Sequence, residues 1–391
     1  MKIAILTPGT LPIPAVQGGA VENLVDFYLD YNNRYQLHDI TVFSIFHKKV
    51  KDHPVLNSKV NHYEYVDVTS LRARIKRYIY QMFHKEEYYN YHIEFFFEQC
   101  YKKISKKEFD ILLLENRPGY AYKLSKRGFS NIYLHLHNDL LNATTPHAND
   151  ILKSITKVLT VSDYIKERVN TIDKSEKVQT VYNGINLELF SKGQSNHICR
   201  SQLGIKEDDF VIIYSGRINS EKGISELIEA LILLKEKSQI KLLVVGSPFF
   251  DEASDDDFSI NLKIKSSEIK DQIVFTGFIP YAEMPSYLNL ADIAVIPSIW
   301  DDPFPTTVLE AQAMALPLIV TNRGGIPEQI GTDNAIFVPT GTLFVSRLSQ
   351  AILQLYNNPE QRAAMSKSSL SNSKKYNKDR FSKDLLEGIT K

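Results

Sequence analysis

The chain has 391 residues, 43% apolar and 24% charged. That is ordinary for a soluble globular protein and, at roughly 150 residues per domain, gives two or three domains. Lys+Arg and Asp+Glu both total 46, which excludes a strongly basic nucleic-acid binder or an acidic tail protein as the first reading. Cys100 and Cys199 are the only two cysteines, too few for a disulfide framework or a cysteine-rich metal site. The opening apolar run is short and is broken by Pro8, unlike a signal-peptide core. With no run of about 18 apolar residues, no membrane-spanning helix is expected. The expected location is the cytosol, with a membrane surface as a further option.

Short β-branched runs alternate with helical patterns along nearly the whole chain. Strands are predicted at 3–7, 40–46, 111–114, 132–137, 158–161 and 178–182, then at 210–214, 241–245, 273–276, 293–297, 318–321 and 335–338. These runs are apolar on both faces, as strands covered on both sides must be. Helical segments such as 224–237 sit between them, which means βαβ units and parallel sheets. The fold class is therefore α/β, with two doubly wound domains, 1–190 and 191–370. The polar stretch 191–196 reads as a linker. The closing segment, 371–391, is a separate helical piece. Within it Phe381, Leu385, Leu386 and Ile389 lie on or near one helical face.

Two segments stand out by charge. Residues 71–107 hold nine Lys/Arg, four Glu and ten aromatics. Basic plus aromatic composition suits the headgroup region of a membrane. The plainer alternative is a surface helix pair whose aromatics pack on the core. Residues 251–257 hold five acids in seven, read as a solvated loop, with a metal cluster as the lesser alternative.

Ligands of open parallel sheets bind at the carboxyl ends of the strands. After the first strand, Gly18 and Gly19 precede a helical pattern with Glu22, where backbone N–H groups can approach an anion. Both glycines suit plain turns equally well. The strand 132–137 ends in His137, which shares a face with His135 by alternation. A histidine there can hydrogen-bond a substrate hydroxyl or phosphate, or can be structural. Arg217 falls just past a strand end and Lys222 just before a helix, two cations suited to clamping a diphosphate. Further on, Asp302 lies in a loop and Glu310 about one turn into a helix that begins near Thr306, the expected N-cap. Two acids and free N–H groups at one helix start suit a ligand with both phosphate and hydroxyls, a nucleotide sugar.

As a set and in this order, the motifs resemble those of the family-4 glycosyltransferases. The glycine loop with Gly18, Gly19 and Glu22 is similar to that family's N-terminal loop. Gly216, Arg217, Lys222 and Gly223 match its Gly-Arg and Lys-Gly element. Gly277 and Phe278 match its turn, Asn183 to Asn186 its Asn-Gly element, and Gly324 to Glu328 a further one. Asp302 and Glu310 sit where the family carries its two-glutamate signature, with Asp for the first Glu. Ala315 stands where a Gly is usual.

The resemblance implies a GT-B fold, two Rossmann-like domains facing a cleft, with the C-terminal helix returning toward the first. It implies a retaining transferase of hexose-type sugars from a nucleotide diphosphate, UDP-sugar first and GDP-sugar second. The acceptor is a glycan or a lipid-linked molecule, in cell-surface polysaccharide or glycoconjugate synthesis, and no metal or other cofactor is expected. Arg217 and Lys222 neutralise the diphosphate, Asp302 contacts the sugar, Glu310 holds the ribose, and His137 is the active-site histidine. Gly18, Gly19, Gly216, Gly277, Phe278, Phe304, Pro305, Thr306 and Thr307 complete the donor site. The alternatives are a nucleotide-sugar 2-epimerase or a phosphorylase of the same fold, and a non-catalytic partner subunit that only binds the nucleotide sugar.

Overall fold

The computed structural model describes residues 1–83, 91–193, 198–246 and 257–390. Its contacts divide the chain into two units, Met1–Asn183 with Lys378–Lys391, and Gly184–Asn377. The first unit holds strands β1 (Lys2–Leu6), β2 (Asp39–Ile45), β3 (Asn61–Val66), β4 (Ile111–Glu115), β5 (Ile132–Leu136), β6 (Lys157–Thr160) and β7 (Val178–Thr180). They pair in the order β3-β2-β1-β4-β5-β6-β7, all parallel. The second unit holds β8 (Phe210–Ser215), β9 (Ile240–Val245), β10 (Ile273–Gly277), β11 (Ile293–Ile296), β12 (Leu318–Thr321) and β13 (Ala335–Val338). Their order is β10-β9-β8-β11-β12-β13, again parallel. Each order reverses direction beside the unit's first strand, between β1 and β4 and between β8 and β11. There the loops leave to opposite faces and open a ligand crevice. The protein is α/β, with two Rossmann-like domains.

All twelve predicted strands are present, with ends shifted by at most two residues. β3 is the addition. It is the edge strand beside β2, and His62 to Tyr65 are exposed or half-buried. An edge strand of that kind lacks the two-faced apolar run that marks its neighbours. The helix expected over 224–237 stops at Ile232. Leu234 and Lys237 instead bond three residues back, to Leu231 and Leu234.

The second unit begins at Gly184 and extends to Asn377, rather than spanning 191–370. Main-chain pairing explains this. The Ile185 N–H donates to the Tyr376 carbonyl at 2.7 Å, and Ile185 bridges Asn377. Part of the expected linker, 194–196, lies outside the described residues. Helix Lys378–Thr390 buries Phe381, Leu385, Leu386 and Ile389 in one core with Leu24, Val25 and Tyr28 of helix Ala20–Tyr35. Each such side chain contributes about 1.5–3 kcal/mol.

The basic, aromatic segment splits in two. Helix Tyr91–Ile104 buries Phe95, Phe96, Phe97 and Cys100, whereas helix Leu71–Phe83 leaves most of its large apolar side chains exposed. Of the acidic stretch, 251–256 lie outside the described residues, and Asp257 opens the helix Asp257–Ser266. Among the described residues no helix is long and apolar enough to cross a membrane.

Candidate active site

In the second unit the predicted site residues gather at the carboxyl ends of the strands. Gly216 and Arg217 follow β8, Gly277 and Phe278 end β10 and begin its loop, and 297–305 follow β11. Arg217 is exposed and Phe278 half-buried.

Lys222 closes the turn Ser220–Lys222, capped by Asn219, whose side chain accepts from the Lys222 N–H at 3.2 Å. The Glu221 carbonyl then accepts from the N–H groups of Ile299 (3.0 Å) and Trp300 (3.2 Å). These bonds tie the turn to the loop after β11. They place the Lys222 ammonium on the Asp302 carboxylate and 5.6 Å from the Trp300 ring centroid. Asp302 is only 5% exposed. A second loop braces it, with the Gly325 N–H donating to the Asp302 carbonyl at 2.8 Å. Gly324 sits at φ 55°, and a Cβ there would lie 2.2 Å from that same oxygen. The sequence reading pairs Lys222 with Arg217 as a clamp and sets Asp302 apart as a sugar ligand; the structure adds an ion pair between Lys222 and Asp302.

Gly223 is equally constrained. At φ +70° its Cβ position is 1.9 Å from the Pro297 carbonyl oxygen, a contact only glycine avoids. Gly223→Ala is therefore expected to push the Lys222 turn off the loop after β11. We expect a loss of about 1–3 kcal/mol in denaturant unfolding. A melt equal to wild type would mean that the turn is not held by this contact.

Helix Thr306–Ala313 starts at Thr306, with Pro305 as the cap residue. Thr306, the expected N-cap, is thus the first residue inside the helix. It lies one turn before Glu310 and hydrogen-bonds it. Burial pushes the Glu310 carboxyl up to about 7, against the lowering effect of that bond. Phe304 is buried edge-on to Tyr376, centroids 5.9 Å apart, so its ring packs the loop. Thr306 and Thr307 are half-buried.

A buried amide cluster with no sequence signature pins the start of this helix. The Gln329 side chain donates to the Pro305 carbonyl at 2.9 Å, and the Gln312 side chain donates to the Gln329 carbonyl at 3.0 Å. Asn334 and Asn372 both donate to the Gln312 side-chain oxygen.

In the first unit Gly18 and Gly19, at φ 77° and 103°, lead into helix Ala20–Tyr35. Glu22 is buried, and its carboxylate folds back to within 2.1 Å of where a Gly19 Cβ would sit. Burial raises it to about 7.

His135 and His137 do share a face, their ring centroids 4.1 Å apart. Both bond one carboxylate oxygen of Glu115, the last residue of β4, at 3.0 Å and 2.7 Å. Its other oxygen accepts from the Tyr28 hydroxyl at 2.9 Å. Glu115 and Tyr28 were missed, because their role exists only once three separate elements meet.

Burial alone would raise the Glu115 carboxyl, but the two histidines outweigh it and hold it well below the usual carboxylate range. Burial lowers His137 to about 4, helped by His135 and opposed by Glu115. His137 is then neutral near pH 7. It donates through Nε2–H to Glu115 and keeps an accepting lone pair on Nδ1. The three side chains also have the spacing of a metal-ligand set, their ligand atoms within 4.8 Å of one another. Here they hydrogen-bond each other directly.

This build is that of GT-B glycosyltransferases. Similar solved structures include a glycosyltransferase from Rickettsia africae ESF-5 (TM-score 0.76, 18% identity, 100% of this chain and 98% of that one). Another is Anabaena Alr3699/HepE in complex with UDP (TM-score 0.75, 18% identity, 100% of both chains). At the sequence level, residues 196–371 match the family described as glycosyl transferases group 1.

The chain is similar to a Bacillus subtilis (strain 168) protein provisionally named glycosyltransferase YtcC, at 28% identity over 94% of this chain and 86% of that protein. It also resembles spore coat protein SA of Bacillus subtilis (strain 168), at 26% identity over 94% and 93%. A lipopolysaccharide 1,2-N-acetylglucosaminetransferase of Salmonella typhimurium (strain LT2) matches at 26% over 58% of each chain. The protein is a glycosyltransferase.

Proposed function

We propose that this glycosyltransferase is of the family-4 kind and retains anomeric configuration. It moves a hexose-type sugar from a nucleotide diphosphate, UDP-sugar first and GDP-sugar second, to a glycan or lipid-linked acceptor. Its setting is cell-surface polysaccharide or glycoconjugate synthesis, on the cytoplasmic side of a membrane. One observation carries the reading: two buried acids bracket a single helix start, and Lys222 is seated on the first of them. The UDP bound to the HepE structure supports the nucleotide, and the lipopolysaccharide enzyme supports the kind of acceptor.

When the sugar–phosphate bond breaks, negative charge grows on the departing diphosphate and positive charge on the anomeric carbon. Arg217, Lys222 and the N–H groups of the helix start stabilise the first, and Asp302 the second. The acceptor oxygen attacks from the face the diphosphate leaves, and a diphosphate oxygen takes its proton. Glu310 accepts from the ribose hydroxyls, and His137 offers Nδ1 to a sugar hydroxyl.

The test is calorimetry with UDP and GDP on wild type, Glu310→Gln and Asp302→Asn. Glu310→Gln should weaken binding of bare UDP about 10- to 100-fold, the worth of a bond to a charged group. Asp302→Asn should keep that binding and slow only transfer. Glu310 also predicts a proton effect. Its folded value of about 7 lies above the ordinary 4.5, so the folded form holds the extra proton between those values. Its contribution to stability therefore falls as pH rises through that window. Ribose hydroxyls favour the carboxylate, so UDP binding below pH 7 should release a proton, read from heats in two buffers. Wild-type affinity in Glu310→Gln, or UDP loss confined to Asp302→Asn, would overturn the assignment.

A further inference from the structure

Helix Leu71–Phe83 turns an apolar stripe away from the protein. Leu71, Ile75, Tyr78, Ile79 and Met82 recur at steps of three and four, so they lie along one side of the helix. All five are exposed, Leu71 at 75% and Tyr78 at 68%. Ala73, buried, and Tyr80, half-buried, fall on the opposite side. A surface helix of a globular protein puts its apolar stripe on the core; here the stripe faces out. Arg72 and Arg74 flank it, Lys76 and Arg77 lie further round, and all four are exposed. The helix contains no acidic residue.

We infer that this stripe inserts at the headgroup level of an anionic bilayer, with the flanking cations on lipid phosphates. A bilayer supplies in one surface the apolar depth and the negative plane that this helix matches. The inference extends the membrane-side part of the function proposed above, and rests on it only for which face of the membrane is meant. The neighbouring helix Tyr91–Ile104, with its Phe95–Phe97 run inward, takes no part.

The experiment is co-sedimentation of the full chain with phosphatidylcholine vesicles, with and without phosphatidylglycerol. Wild type should bind the anionic vesicles at least about tenfold better, and high salt should reduce binding. Ile75→Glu with Ile79→Glu should abolish binding at any salt. Arg72→Gln with Arg74→Gln should lower it about tenfold at low salt only. Melting curves and calorimetric UDP binding of the same variants should match wild type, so failure of the donor assignment reads separately from failure of the surface. Equal binding to both vesicle types, or no binding by wild type, overturns the proposal. So does a dimer without vesicles that Ile75→Glu with Ile79→Glu dissociates, since a second copy would then own the stripe.

Discussion

Replacing Lys222 with alanine is expected to slow sugar transfer by about 10²–10³-fold, as loss of one transition-state donor does. Arg217→Ala should fall in the same range. The two differ in what else they disturb. Arg217 is exposed on the loop after β8, so its loss should leave the melting temperature unchanged. Lys222 neutralises a buried carboxylate. Its removal strands Asp302, and breaking a buried pair from one side costs about 3–5 kcal/mol, less here because Lys222 is partly exposed.

Adding Asp302→Asn to Lys222→Ala should therefore restore much of the stability while the rate stays low. The same single change helps the fold and leaves the chemistry broken, which separates the two roles of the lysine. Melting curves beside turnover with the true donor supply the measurement. Near-full turnover in the double variant Arg217→Ala with Lys222→Ala would sink the diphosphate assignment.

What the sequence made legible follows from where each signal is stored. Strands such as Ile111–Glu115 are buried along their whole length, so they read as unbroken apolar runs. Asn61–Val66 has one neighbour and open middle positions, and its alternation is too weak to see. The turn with Lys222 was legible because its parts are local, cations and glycines at fixed spacing. Its union with Asp302 was not, since the two are 80 residues apart and are joined through main-chain bonds of Glu221. Thr306 was misplaced by one position because Pro305, at φ −64°, already serves as the turn into the helix. The segment 71–107 has one composition but two environments, and only packing distinguishes them.

Glu115→Gln should show how far a residue outside any motif controls His137. The carboxylate accepts three hydrogen bonds, from Tyr28, His135 and His137. A glutamine keeps one accepting oxygen and offers an NH₂ that faces donors. One buried donor is then left unpaired, at about 1–3 kcal/mol. His137 can relieve the clash by moving its proton to Nδ1, which removes the lone pair proposed to meet the sugar. The expected rate loss is about 10- to 100-fold, the cost of leaving that sugar hydroxyl without its acceptor.

Stability should respond to pH with a definite sign. Glu115 is held below its ordinary value, so its contribution is present above about 4.5 and is lost as pH falls below that. His137, lowered to about 4, binds fewer protons folded than unfolded between there and 6.5, so it too costs stability on acidification. Between about pH 6.5 and 4.5 the His137 loss is opposed by Glu22 and Glu310, which the fold holds up near 7, so acid unfolding of wild type should set in mainly below 4.5, and Glu115→Gln should flatten that part. Nitrogen chemical shifts of His137 provide the readout a merely structural role would not move. Wild type should show the proton on Nε2 at pH 7, and Glu115→Gln should show it on Nδ1. An unchanged tautomer with a full rate loss would mean that Glu115 acts through the fold alone.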